Sequence, residues 1–278
     1  MKVKFYFFII LFVFFNKINL MADEILFESG NLKIQNNGNT IYGKKVLAKI
    51  PSKKIEIEGD KSIYDKINSK LTLIDNVKVY DRNKDIYIES NNLIYDQIEN
   101  TIYSHGKTLI KIEETYEINS KDILYNRNSM KLSSKQDTII EDNKLNIFNF
   151  EQGFLFDTIK EIISSKKTNL TDSNNNNYSF ENTKVNLKTN EIVGKELKID
   201  FIDSFFGNEK NDPKLSGKSV VSDNDATKVF KTVFSTCNMV NKSCRGWELQ
   251  SEEFTHDKKK KIFEYKNSWL KIFNKKVA

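Results

Sequence analysis

A short phrase recurs at a near-fixed interval: Ile63-Tyr64-Asp65, Ile94-Tyr95-Asp96 and Leu124-Tyr125-Asn126, with the tyrosines 31 and then 30 residues apart. A polar turn follows each phrase, and then an alternating run: Lys70-Leu71-Thr72-Leu73, Thr101-Ile102-Tyr103-Ser104 and Met130-Lys131-Leu132-Ser133. Successive side chains of a strand point to opposite faces, so period-two alternation predicts half-buried strands rather than helices. A period near thirty residues predicts stacked strand-turn-strand units. The chain is therefore expected to be all-β, a β-solenoid or an open β-roll.

Within the array, Leu71, Leu73, Val77 and Val79 fall on matched faces, as do Ile86 and Ile88, Ile110 and Ile112, and Tyr116 and Ile118. Stacked in register, they make one apolar wall along the inside of the roll. Two readings of that wall stay open: a filled core, which needs no partner, and an open groove, which holds one. A one-residue slip of register would turn a strand's whole set to the other face. Asp65 and Asp96 hold equivalent repeat positions and would align as the acids of a carbohydrate-active β-helix do. Asn126 holds the third position, however, and an amide starts a turn as well as a carboxylate does while being no acid. Turn formation is the expected role. Tyr64, Tyr95 and Tyr125 are expected to stack as a ladder with their polar tips at the rim.

No catalytic set emerges, so the chain is expected to be non-enzymatic and free of cofactors. Its 2 histidines, His105 and His256, lie far apart in sequence and leave few options for a nucleophile that needs an oriented imidazole. The pairs Glu113-Glu114 and Glu252-Glu253 are adjacent in strand-like segments, which points their carboxylates to opposite faces. No Gly-rich phosphate loop is present. Neither histidine has metal-ligand spacing to Cys237 or Cys244, and a structural zinc needs four ligands, so no metal is expected. The net charge of +6 owes much to lysines near the two termini. It argues weakly for nucleic acid, which is not expected as a partner, and suits an anionic lipid or glycolipid.

Lys2 and Lys4 precede an apolar run from Phe5 to Phe15, and Leu20-Met21-Ala22 offers a small-residue exit before Asp23. This is the layout of a secretory signal over residues 1–22. Extending the run to Leu20 would instead make an uncleaved anchor. Export brings Cys237 and Cys244 into an oxidising compartment, where the pair is expected to form a disulfide across one hairpin. Residues 23–225 read as one β-domain. Within it, Thr158 to Ser165 is a short helix or an irregular strand, and the Asn-rich Thr171 to Asn177 is a linker or mobile flap. The texture changes again after Asp225, so 226–278 reads as a separate region that stops as though inside a longer protein.

The phrases Ile57-Glu58-Gly59-Asp60-Lys61-Ser62-Ile63-Tyr64-Asp65 and Leu73-Ile74-Asp75-Asn76-Val77-Lys78-Val79, with the recurring Tyr-Asp units, resemble the OstA-like periplasmic domain of lipopolysaccharide transport. Phe234-Ser235-Thr236-Cys237, Cys244-Arg245-Gly246-Trp247-Glu248-Leu249, His256-Asp257 and Tyr265-Lys266-Asn267-Ser268-Trp269-Leu270 resemble the amino-terminal part of the outer-membrane lipopolysaccharide-assembly family, LptD. The resemblance implies a repetitive β-jellyroll, or folded-over β-sheet (β-taco), whose apolar interior shields the acyl chains of lipopolysaccharide while the sugars stay in water. Leu71, Leu73, Val77, Val79, Ile86, Ile88, Ile110, Ile112, Tyr116 and Ile118 would then line the acyl chains. An exported protein at the periplasmic face of a Gram-negative outer membrane is implied, with other bridge components of the pathway joined by edge-strand addition. A plug lipoprotein is implied as a partner where a barrel follows; this sequence lacks the ~10-residue alternating segments that such a barrel needs. In that family periplasmic cysteines bond to cysteines of the barrel, whereas here Cys237 and Cys244 are expected to pair with each other. Two alternatives remain: a soluble or anchored bridge subunit of the same pathway, LptA- or LptC-like, and a β-helical surface adhesin or carbohydrate-processing protein with a closed core.

Overall fold

Alternation of apolar and polar residues, cut by short Asx-rich turns, makes twenty strands in the computed structural model, which describes residues 24–173, 175–201, 213–236, 246–273 and 275–277. In chain order they are β1 (Leu26–Gln35), β2 (Thr40–Ile50), β3 (Ile55–Asp65), β4 (Lys70–Asp81), β5 (Ile86–Asp96), β6 (Thr101–Ile112), β7 (Tyr116–Lys121), β8 (Leu124–Asn126), β9 (Lys131–Ser134) and β10 (Thr138–Asp142). They continue as β11 (Ile147–Glu151), β12 (Phe154–Asp157), β13 (Ile162–Thr171), β14 (Asn177–Asn186), β15 (Glu191–Asp200), β16 (Lys214–Ser222), β17 (Ala226–Ser235), β18 (Trp247–Asp257), β19 (Ile262–Ile272) and β20 (Lys275–Lys276). No described helix is long and apolar enough to cross a membrane. The protein is all-β among the described residues, as expected, and their strand pairings are all antiparallel within one sheet.

Residues with left-handed backbone sit in the middle of the long strands and align from one strand to the next: Lys45, Asp75, Asn76, Gly106, Asp122, Asn182, Glu196 and Lys231. Register shifts fall at the same level, between Ile74 and Val77 of β4 and between Ser90 and Asn92 of β5. Such bulges bend a strand and sharpen its twist. Three strand runs break outright at this crease, so β7 and β8, β9 and β10, and β11 and β12 are consecutive halves. Each half keeps its own partner, and the pairings β6–β7–β10–β11–β13–β12–β9–β8–β6 close a circuit of eight antiparallel strands. Small hydroxyl residues fill the inner side of the crease, with Thr108 bonded to Ser104 and Ser120 to Thr138.

The turns form two rims. One carries residues 36–39, 66–69, 97–100, 127–130, 158–161 and 187–190, and the other carries 51–54, 82–85, 113–115, 143–146 and 172–176. The repeat explains the first rim directly: Asp65 Oδ1 accepts from the N–H groups of Ile67 and Asn68, Asp96 Oδ1 from those of Ile98 and Glu99, and Asn126 Oδ1 from that of Ser129. Along each rim, consecutive turns are joined by a main-chain bond, as from Arg82 N to Lys54 O and from Gln97 N to Ser69 O.

β1 runs unbroken from Leu26 to Gln35. Thr158 to Ser165 holds no helix: residues 158–161 are a turn and Ile162 starts β13. Nor is Thr171 to Asn177 a linker, since β13 runs through Thr171, β14 begins at Asn177, and Asp172 Oδ1 and Oδ2 accept from the Asn176 N–H and amide. The turn at Asp142 is built the same way, with Asp142 accepting from Asn146. His105 lies at the crease, with Nδ1 3.1 Å from Asp122 Oδ1. The sheet also passes the boundary expected at 225, with β17 pairing β16 from Lys214↔Ser235 to Ser222↔Thr227. The signal segment 1–22 and the cysteines Cys237 and Cys244 lie outside the described residues.

Candidate functional cavity between the two rims

Asp81 and Arg127 set the geometry of the interior. Following the register, Arg127 lies beyond Asn126, which is level through Thr101 and Asp96 with Lys70, at the opposite end of β4 from Asp81. In a flat sheet the length of β4, roughly 36 Å, would separate them. Arg127 Nε is instead 2.7 Å from Asp81 Oδ2. The sheet is curled over its own apolar face, and its two rims meet here.

The meeting is a buried polar network. Asp81 Oδ2 also accepts from the Tyr125 hydroxyl at 2.9 Å, while Arg127 donates to Asn100 Oδ1 and to Lys53 O, each at 3.0 Å. Lys53 Nζ crosses in the other direction to the Tyr95 hydroxyl and Gln97 O, each at 3.2 Å. Aromatic contacts cross on either side of this latch: Phe27 meets Tyr64 with ring centroids 5.5 Å apart, and Tyr116 meets Phe156 edge-on at 6.1 Å. Beneath them the core is closed. Leu71, Leu73, Val77, Val79, Ile86, Ile88, Ile110, Ile112 and Ile118 are all buried, none above 7% exposed. They face inward, and their neighbours are protein.

Tyr116 differs. It is only partly buried, and it stands where the sealed segment ends. Burial, reinforced by Glu161, Asp142 and Glu113, pushes its hydroxyl up to about 12. Beyond it, between strands β10 and β19, the walls separate around a cavity of about 380 Å³. Phe148, Leu170, Phe180, Leu197, Leu215 and Phe254 form an apolar floor. The mouth is polar on both sides: Asp142, Lys144, Asn146 and Asp172 on one rim, Asn190, Ser222, His256 and Lys258 on the other. One described hydrogen bond spans it, from Lys144 Nζ to Asn190 Oδ1 at 3.2 Å.

Electrostatics at the mouth follow from burial. The Tyr178 hydroxyl, bonded to Asp172 Oδ2 at 2.9 Å, is raised first by desolvation and then by that carboxylate. Desolvation lowers Lys258, and it lowers His256 with help from the Lys258 ammonium. The described residues contain no group of three or more metal-ligating side chains.

Of the ten residues expected to line an acyl chain, only Tyr116 reaches the cavity; the other nine lie under the latch. The cavity walls come instead from the second half of the chain, where the Tyr-Asp phrase is absent. Their signal was the alternation Tyr178, Phe180, Val185 and Leu197, Ile199, Leu215, which marks inward faces without marking a space between them. No protein-family model matches the chain, and no curated protein matches it either.

Proposed function

We propose that the protein is a non-enzymatic, exported lipid-transport module that holds the acyl chains of lipopolysaccharide in its apolar interior and keeps the sugars in water. In this reading the curled sheet is a β-jellyroll of the OstA-like kind, as the resemblance of the Tyr-Asp repeat and of the Cys-Arg-Gly-Trp segment implies. The observation that carries it is the cavity: an apolar floor between two polar rims, within the size range of small-molecule sites. Each methylene moved from water into such a space contributes about 0.8 kcal/mol, so an acyl chain that enters it binds without any specific polar contact.

The sheet edges support a place in a periplasmic bridge. Among the described residues β1 pairs only with β2, which leaves its other edge open there, with Leu32 and Ile34 exposed beside it. An added strand from another bridge component would satisfy that edge. Cys237 and Cys244, in this reading, form a disulfide in the oxidising periplasm.

In-cell photo-crosslinking tests the reading. A photoreactive residue at Leu197 or Leu215 is expected to capture lipopolysaccharide, while one at exposed Lys84 captures none. Failure at both leucines in a folded, exported protein would overturn it in favour of a closed-core adhesin.

A further inference from the structure

At the mouth of the cavity, two ammonium groups donate to neutral oxygens, while the carboxylates around them take their hydrogen bonds from their own turns. Asp142 accepts from the N–H groups of Lys144 and Asn146, and Asp172 from Asn176 and the Tyr178 hydroxyl. On the facing rim, Asp223 Oδ1 accepts from the N–H groups of Asp225 and Ala226. Asp225 pairs with Lys259 at 2.8 Å, and Asp257 with Lys260 at 3.3 Å and with the main chain of the same turn.

Lys258 stands apart from these pairs. Its Nζ donates to Ser222 Oγ at 3.1 Å and to the main-chain oxygen of Asp223, both neutral acceptors, while the Asp223 and Asp225 carboxylates act on it only through space. The side chain is partly buried, so its ammonium has already lost part of its water. Lys144 arrives from the opposite rim and donates to Asn190 Oδ1, and Asn190 in turn donates to Asn224 Oδ1 at 3.0 Å. Asn224 follows Asp223, whose carbonyl holds Lys258. A short chain of amides thus joins the two lysines along one side of the mouth, above an apolar floor.

We infer that Lys144 and Lys258 form a head-group subsite for an anionic, phosphate-bearing amphiphile whose tails occupy the cavity. This rests on the lipid-binding reading above and adds to it which part of the ligand sits where. An ammonium holding only neutral acceptors gains a charge-assisted bond when a phosphate oxygen arrives, and such bonds are about twice as strong as neutral ones. Lipid phosphate is favoured over free phosphate because the apolar floor holds only a ligand with tails.

The test compares two probes on the purified full chain: didecanoyl phosphatidic acid and uncharged didecanoylglycerol, each below its aggregation concentration, read by native mass spectrometry. The phosphorylated lipid is expected to bind about tenfold tighter, the size of one added charge-assisted bond. Lys144→Gln with Lys258→Gln is expected to remove most of that preference while diacylglycerol binding holds. Lys84→Gln is the charge-matched control and changes neither. Leu215→Arg, which fills the floor with a charge, is expected to abolish both. Equal binding of the two lipids by the native chain, or an equal loss in the Lys84 control, overturns the head-group subsite and leaves the apolar cavity standing. Displacement of the phosphorylated lipid by millimolar inorganic phosphate also overturns it, since the site would then be one for free phosphate. Binding of neither lipid sinks both readings.

Discussion

Arg127 Nε donates to Asp81 Oδ2 across the closed mouth of the roll, and the two side chains are only 6% and 1% exposed. A buried ion pair with its hydrogen bonds satisfied holds two surfaces in one register, although its net stabilisation over an apolar pair is small. Removing one partner strands the other. Asp81→Ala is expected to cost about 3–5 kcal/mol, because Arg127 and the Tyr125 hydroxyl lose their shared acceptor. The combined Asp81→Leu, Tyr125→Phe, Arg127→Met variant is expected to recover more than half of that. Urea unfolding measures both, and a triple variant no better than the single one would refute the account of the latch.

The two halves of the interior should answer differently to added volume. Ile57 is fully buried in the sealed segment, so Ile57→Phe is expected to cost about 1–3 kcal/mol through overpacking. Val220 lines the cavity, and Val220→Leu has space to enter, with an expected change of less than about 1 kcal/mol. Equal losses at the two sites in thermal melts would mean that the cavity is no emptier than the core.

Gly153 has φ +89°, and a Cβ there would lie 2.1 Å from the Ser134 carbonyl oxygen. Gly38 has almost the same backbone, φ +88°, with nothing within 4 Å of that position. Gly38→Ala therefore meets conformational strain alone, on the order of 1 kcal/mol, while Gly153→Ala adds a collision with main chain and is expected to cost at least about 3 kcal/mol. The difference between the two midpoints of denaturation isolates the steric part.

Stability should depend on pH through His256, whose ring packs 4.8 Å from that of Phe263. Burial first, and then the Lys258 ammonium, hold the imidazole below its ordinary 6.5, against a smaller opposing pull from Asp257. A lowered folded value means that the unfolded chain binds the proton more readily. Stability is thus complete above about 6.5 and declines as the pH falls through that value towards the folded one. His256→Phe keeps the packing and is expected to flatten the urea midpoint between pH 8 and 5. An unchanged slope in the variant would assign the titration to another group.

Strand periodicity and rim turns were readable from residues because both are local. Asp65, Asp96 and Asn126 cap turns within three residues of themselves, and Leu71, Leu73, Val77 and Val79 point inward by simple alternation. The crease was hidden, since several of its left-handed positions are Lys45, Glu196 and Lys231, types that do not advertise that backbone. The latch was hidden for another reason: Asp81 and Arg127 are brought together only by curling of the whole sheet. The Asn-rich stretch misled through composition, because Asp172 and Asn176 repeat the spacing of Asp142 and Asn146 and do the same work. The cavity could not be foreseen from alternation, which reports the inward face and is silent on the distance to the opposite wall.

Main-chain bonds along a rim join every second turn, as from Glu113 N to Asp85 O and from Thr158 N to Met130 O. Rim identity is therefore a matter of parity. Gain or loss of a two-strand unit leaves each later turn on its own side, whereas a single-strand change would exchange the sides from that point on. Arg127 would then emerge beside Asp81's own rim instead of opposite it, and Lys144 would trade places with Asn190. An internal two-strand unit can therefore be duplicated between them without moving either turn to the wrong side, whereas an internal single strand cannot.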